Sequence, residues 1–277
     1  LLALVGFEDP PRAHAAQSLA ACRAAGVRIA MVTGDHPETA RIIARETALA
    51  TAGAPVLEGS DLPTDDDALA DAIDVDGAVL ARIGPEDKLR IARVLRRRGY
   101  VVAMTGDGVN DAPALREADI GIAMGASGTD VAREAADLVL LDDDVATIVS
   151  AIAVGRSVFA NARKFLTYHL SDNVAELAPF VAWALSGGSI PLAIGVLQIL
   201  LLDVGTDTLP ALALGAERPE PGVLAGPPSR GRLLDRVVAV RAFLVLGPTE
   251  AVVSLSAFAA TYLADGWRPG TPFPAGG

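Results

Sequence analysis

Two carboxylates and an amide set among glycines are the densest chemistry in this chain: Asp107, Asn110 and Asp111 in Met104-Thr-Gly-Asp-Gly-Val-Asn-Asp-Ala112. Paired carboxylates in a turn suit a hard cation, and Mg²⁺ is commonly held by one or two carboxylates plus phosphate oxygens. The glycines let backbone N–H groups approach an anion closely. An Asx turn or a helix cap would account for any one of these residues, but not for the whole string. A second loop, Thr33-Gly34-Asp35, repeats the Thr-Gly-Asp of 105–107. Lys88 sits in the first turn of a predicted helix opened by Pro85-Glu86-Asp87. A cation there faces the positive end of the helix dipole, at a cost on the order of a few tenths of a kcal/mol unless an anion is near.

These residues need a scaffold that brings loops to one edge. Leu1 to Phe7, Val27 to Val32, Ala78 to Ala81, Tyr100 to Thr105, Ile120 to Ala123 and Leu138 to Leu141 read as strands. Between them lie helical stretches from Ala13 to Ala25, from Pro37, and from Pro85 to the basic run Arg96 to Arg98. Alternating strands and helices predict a parallel sheet covered on both faces, with ligands at the carboxyl ends of its strands. The Gly-, Pro- and Asp-rich stretch Glu58 to Asp67 is expected as a surface excursion. Arg96 to Arg98 and Asp142 to Asp144 are expected as solvated helix ends and loops. His14, His36 and His169 have no partner at ligand spacing and are given surface or packing roles.

Composition divides the 277 residues. Charges crowd the first half and long apolar runs fill the second, with 51% hydrophobic residues in total. A net charge of −11 gives no electrostatic reason to expect nucleic acid as a partner. The lone Cys22 excludes an internal disulfide and fits a reducing compartment.

From Val145 a long helix is predicted to run unbroken into Leu177 to Leu185, its Arg156, Arg163 and Lys164 marking a cytoplasmic end. Ile190 to Leu214 is expected to return across the bilayer. The next connection carries Arg218, Arg230, Arg232 and Arg236, and Val237 to Leu263 makes a third span. Asn173, Glu176, Asp203, Thr206 and Asp207 interrupt this apolar sequence. A central carboxylate costs at least about 2.5 kcal/mol to insert, so such groups need a compensating partner. Asn173 and Glu176 are spaced i, i+3, and Asp203, Thr206 and Asp207 i, i+3, i+4, so each set shares one helix face. Pro179, Gly205 and Pro210 are placed to free backbone carbonyls toward the same cavity. Glu250 lies near the middle of the third span.

Thr105-Gly-Asp-Gly-Val-Asn-Asp-Ala-Pro-Ala-Leu115, then Ala118-Asp-Ile-Gly-Ile-Ala-Met-Gly125 and Gly128-Thr-Asp-Val-Ala132, resemble the hinge motif of P-type cation-transporting ATPases. The resemblance covers nearly the whole chain. It implies a haloacid-dehalogenase-like, Rossmann-like α/β phosphorylation domain over 1–150. A stalk and two transmembrane helices follow over 151–214, the helices at about 165–186 and 190–214. A cytoplasmic loop over 215–236, a third transmembrane helix over 237–263 and a non-cytoplasmic loop over 264–277 complete the order. It implies catalytic or nucleotide-side roles for Thr33, Gly34, Asp35, Lys88, Asp107, Asn110 and Asp111. Thr33 would bond the transferred phosphoryl group, Lys88 would neutralise it, and Asp107 would bind Mg²⁺, with Asn110 and Asp111 ordering the loop. ATP is the implied substrate.

Asn173 and Glu176 match ion ligands of the family's fifth membrane helix, and Asp203, Thr206 and Asp207 those of the sixth. Asp203 departs from calcium pumps, where Asn is usual, and Asp203-Val-Gly-Thr-Asp207 is closer to sodium/potassium pumps, so the ion stays open. The family's nucleophile lies in Asp-Lys-Thr-Gly, but the Asp-Lys here, Asp87-Lys88, is followed by Leu89, and Thr-Gly-Glu is absent. The expectation is therefore a pump fragment that lacks the nucleophile strand, is inactive alone, and has the N-terminal part of the same pump, the lipid bilayer and a transported cation as partners. A multi-pass plasma-membrane location with the soluble domain in the cytoplasm is implied. A membrane-anchored phosphatase of the same fold and a non-catalytic phosphate- or Mg²⁺-binding regulatory chain are the alternatives.

Overall fold

The computed structural model describes residues 10–12, 14–228, 231–264 and 266–268. The strand expected from Leu1 to Phe7, and Arg230, lie outside them. The chain divides into two units, Leu1–Ala153 with Leu224–Pro228, and Val154–Val223 with Ser229–Gly277.

In the first unit all strand pairs are parallel. β1 (Met31–Val32), β2 (Val56–Glu58) and β3 (Val79–Ala81) form one sheet in the order β1-β3-β2, with Met31 and Val56 both opposite Val79. β4 (Ala103–Gly106), β5 (Ile120–Met124) and β6 (Leu138–Leu140) form a second, in the order β4-β5-β6, with Thr105 opposite Ile122. Among the described residues the single expected sheet is thus two three-stranded ones.

Helices α1 (Ala15–Ala24), α2 (Pro37–Glu46), α3 (Asp66–Ile73), α4 (Pro85–Arg97), α5 (Ala112–Glu117) and α6 (Asp130–Ala135) lie among the strands in sequence. Their starts follow local chemistry. Pro37 and Pro85 occupy first-turn positions that need no N–H donor, while Asp65 and Thr129 accept the N–H groups of Ala68 and Ala132. His36 Nδ1 likewise accepts from Glu38 N at 3.3 Å, which gives that histidine a capping role.

Every residue of β3 is buried, and successive side chains alternate between faces. Val79 and Ala81 pack with Leu19, Ala40 and Ala44. Leu80 packs with Leu69, Ile73, Ile91 and Val94 of α3 and α4. The sheet is therefore covered on both sides, as a parallel sheet requires.

Further expectations are corrected in part. The strand expected from Val27 is limited to Met31–Val32, although Ile29 before it accepts from Gly77 N at 2.8 Å and donates to Asp76 Oδ1 at 2.9 Å. The Glu58 to Asp67 stretch lies at the surface as expected, none of its residues being buried, and it also carries local structure: β2 ends at Glu58, a 3₁₀ turn spans Gly59–Asp61, and α3 begins at Asp66. Arg96 to Arg98 are exposed, as expected, and also paired, whereas Asp143 is buried. Arg96 bonds Asp119 and Glu117, Arg97 bonds Asp66, and Arg98 pairs with Asp71. Asp143 is 5% exposed and accepts the backbone N–H groups of Ala126 and Ser127.

In the second unit, α7 runs as one helix over Val145–Leu185, with Pro179 inside it; its first residues belong to the first unit. α8 (Val196–Thr206) and α9 (Thr208–Gly215) are separated at Asp207. α10 (Arg236–Val240) passes through a π-helical turn over Arg241–Leu246 into α11 (Gly247–Ala264). Pro248 brings no N–H to the preceding turn, which accounts for the widened helix just before it. The stretches Val145–Leu185, Val196–Gly215 and Arg236–Ala264 are each long and apolar enough to cross a membrane. Gly247 lets α11 approach α7 closely, since a Cβ there would lie 2.6 Å from Val174 Cβ.

The connection after α9 is strapped to α7. Lys164 Nζ reaches Glu217 at 3.1 Å and Glu220 at 3.0 Å, Arg163 pairs with Asp235 at 2.7 Å, and buried Asn161 donates to Glu217 O at 3.3 Å.

Candidate functional site

In the first unit, β4 ends at Gly106 and a 3₁₀ turn over Val109–Asp111 leads into α5. Asp111 is 8% exposed and closes this turn on itself. Its Oδ2 accepts from Asp107 N at 3.3 Å and Gly108 N at 3.1 Å, and its Oδ1 accepts from Lys88 Nζ at 2.6 Å. Gly106 is required by this arrangement, because a Cβ there would sit 2.5 Å from Asp111 Cβ. The cost noted for a first-turn lysine is thus met by a carboxylate from the loop after a strand of the other sheet.

Both oxygens of Asp111 are committed. Asp107 and Asn110 are exposed at the turn, and no hydrogen bond or ion pair engages the Asp107 carboxylate among the described residues. The Asp107 carbonyl accepts from Thr129 N at 2.8 Å, linking the turn to the loop before α6. The donor set fits Mg²⁺ of the kind that keeps phosphate and water ligands, with Asp107 supplying the protein carboxylate and Asp111 building the loop. Lys88 uses one of its three donors on Asp111, which leaves two for an anion.

Thr33 and Asp35 make a loop of their own. Thr33 Oγ1 donates to Asp35 Oδ2 at 2.9 Å and accepts from Asp35 N at 3.1 Å, with exposed Gly34 between them. Its carbonyl accepts from Ile83 N at 2.9 Å, tying it to the end of β3 just before the Lys88 helix. Among the described residues no hydrogen bond or ion pair joins Thr33 or Asp35 to Lys88, Asp107 or Asp111.

In the second unit, the acids of two apolar helices meet. Glu176 of α7 and Asp203 of α8 lie near enough to interact, and Asp172 and Asp207 near enough to act on Glu176 by charge. Glu250 of α11 reaches Asp172. The helix break at Asp207 has a local cause: Pro210 has no N–H for the carbonyl of Thr206. That freed carbonyl accepts the hydroxyl of Tyr168 at 2.9 Å.

Asn173 and Thr206, expected as ligands, turn to their own helices instead. Asn173 Nδ2 donates to His169 O at 2.7 Å, and Thr206 Oγ1 to Leu202 O at 2.8 Å. The acids approach in pairs, and no three His, Cys, Asp or Glu side chains close around one point among the described residues.

Two residues here escaped the sequence reading. Asp172 lies one helical turn before Glu176, a spacing that would have placed it on the same face. His169 gave no such signal, because its partner, Asp207, is on another span: Nδ1 and Oδ2 are 2.8 Å apart.

Comparison with known proteins joins these two regions. Residues 1–119 match a haloacid dehalogenase-like hydrolase family and residues 191–273 the C-terminus of cation transporting ATPases. A calcium-transporting ATPase of Bacillus subtilis (strain 168) is 43% identical over 252 residues, which is 88% of this chain and 28% of that protein. The potassium-transporting ATPase alpha chain 2 of Homo sapiens is 37% identical over 97% of this chain and 28% of its own length. The crystal structure of a zinc-transporting PIB-type ATPase in an E2.Pi state superposes with a TM-score of 0.55 at 31% identity, covering 75% of this chain and 28% of that one. The chain thus spans a little over a quarter of the length of these relatives.

Proposed function

Because the chain belongs to the P-type cation-transporting ATPases, we propose that it supplies the phosphate-handling turn and part of the intramembrane cation site of an ATP-driven pump. The observation that carries this reading is the meeting of Glu176 and Asp203, from two different apolar helices, with Asp172 and Asp207 beside them. A helix that only anchors a domain gains nothing from such acids, each of which costs at least about 2.5 kcal/mol in lipid. A cation among them offsets that cost. The ligand set proposed is Glu176, Asp203 and Asp207, with Asn173 and Thr206 joining on rotation away from their own helices.

At the other end, Asp107 would hold Mg²⁺, which supplies charge neutralisation for a transferred phosphoryl group. Lys88 neutralises the same group with its remaining donors, Asp111 fixes the turn, and Thr33, with Gly34 and Asp35, offers a hydroxyl and backbone N–H groups to phosphate oxygens. Asn110 borders the same turn. These groups position and stabilise charge, which is most of what phosphoryl transfer asks of a protein. ATP is the proposed phosphoryl donor, and an acyl phosphate on an aspartate elsewhere in the intact protein the proposed intermediate.

The basic Arg156, Arg163 and Lys164 of α7 support a cytoplasmic first unit, with a plasma-membrane setting proposed. Cation-stimulated ATP hydrolysis by the intact protein tests this function. Hydrolysis that depends on a cation and is lost in Lys88→Met supports it; cation-independent phosphate-ester hydrolysis would replace it with a membrane-anchored phosphatase.

A further inference from the structure

His169 lies on the same face of α7 as Asp172 and Glu176, at i, i+3 and i+7. Its ring stacks on Phe165, with centroids 5.5 Å apart and planes within 8°. The stack fixes the ring plane, and Nδ1 comes to 2.8 Å from Oδ2 of Asp207 across the helix pair. Among the described residues Nδ1 makes no hydrogen bond of ordinary geometry, and the other oxygen of Asp207, Oδ1, is buried without a partner. Buried polar atoms left this way mark places where an ion or water completes the structure.

We propose that His169 is a positioning residue of the intramembrane cation site, holding Asp207 by Oδ2 so that Oδ1 alone is presented to the cation. This rests on the transport reading above. The role needs a donor at Nδ1, which the imidazole supplies in one of its neutral tautomers. Cation capture by Oδ1 leaves Oδ2 to the ring. The arrangement resembles the outer-shell partners that orient ligating side chains elsewhere, whose loss commonly costs about 10- to 100-fold in metal affinity. It also makes Asp207 a one-oxygen ligand, which disfavours large cations that take carboxylates through both oxygens.

The test uses the intact protein in vesicles, titrating ATP hydrolysis with Na⁺, K⁺, Ca²⁺ and Mn²⁺ separately. Three variants divide the possibilities: His169→Phe keeps the stack on Phe165 without a nitrogen, His169→Asn places an amide N–H near Nδ1, and His169→Ala removes both. Expected is a rise of about 10-fold in the half-activating concentration of the transported cation for His169→Phe and His169→Ala at little changed maximal rate, with His169→Asn within a few-fold of wild type. Wild-type affinity in His169→Phe, or an Asn variant no better than the Ala variant, would overturn the assignment. Wild-type protein that no cation activates would instead remove the transport reading on which it rests.

Discussion

Lys88 Nζ lies 2.6 Å from Asp111 Oδ1, joining the helix that follows β3 to the turn that follows β4. These strands belong to different sheets, so this ion pair ties a loop end of one to a loop end of the other. The side chains are only 17% and 11% exposed, and removing one partner leaves the other charge stranded. Lys88→Met is expected to lower phosphoenzyme formation from ATP in the intact protein by about 100-fold, the usual effect of deleting a charge-stabilising donor. Lys88→Arg should recover only part, because a planar guanidinium cannot reproduce the compact ammonium contact. Rapid-quench measurement of the acid-stable phosphoenzyme checks both.

Gly106 faces the side chain of Asp111 with no space for a methyl group: a Cβ would lie 2.5 Å from Asp111 Cβ and 2.8 Å from Cγ. Gly106→Ala must displace the carboxylate that holds the N–H groups of Asp107 and Gly108. A cost of about 1–3 kcal/mol is expected for such overpacking, together with a raised Mg²⁺ requirement for phosphorylation. Titration of phosphorylation with Mg²⁺ reads the second effect directly, and an unchanged Mg²⁺ midpoint would detach Asp111 from the turn's function.

Asp143 gives the first unit an acid-sensitive joint. Its carboxyl is held below the usual carboxylate range by the Ser127 side chain and then by the backbone N–H groups of Ala126 and Ser127, against the opposing effect of burial. A depressed folded-state value means that the stabilisation is whole above the unfolded carboxylate pKa of about 4 and is lost as pH falls through the lower folded one. Hydrogen-exchange protection at the Ala126 and Ser127 amides should therefore fall as pH drops below about 4. Asp143→Asn should remove that pH dependence, lowering protection at neutral pH and flattening its decline in acid.

How much of this could be read beforehand depended on the range of each interaction. The turn around Asp107 and the uninterrupted helix over Val145–Leu185 are local patterns, and the sequence states them outright. Strand β2 is three residues long, too short for an alternation to register, and it sits just ahead of a polar stretch that read as a loop. The partners of Asp143 lie 17 and 16 residues back along the chain, so nothing local set it apart from its solvated neighbours. The contact between His169 and Asp207 bridges 38 residues, and no spacing rule within one helix could have found it. Asn173 and Thr206 show a further effect that spacing does not reveal: an amide or hydroxyl in an apolar helix bonds the carbonyl four residues back.

Gly247 sets how near α11 comes to α7. A side chain there would meet Val174 Cβ at 2.6 Å and Ala242 O at 2.7 Å. Gly247→Val is expected to cost about 1–3 kcal/mol through separation of the two helices. Detergent-solubilised protein should then unfold at a lower temperature than wild type, whereas Gly205→Val, where a Cβ meets nothing within 4 Å, should not.

The carboxylates of Glu176, Asp203 and Asp207 are proposed to hold the transported cation. The direct measurement is cation-activated ATP hydrolysis by the intact protein carrying Asp203→Asn or Asp207→Asn, alongside phosphorylation of the same variants from inorganic phosphate. Half-activation weakened by about 10- to 100-fold or more in both, with phosphorylation from phosphate retained, is the predicted result. Unchanged cation activation in both variants would remove these carboxylates from the cation site.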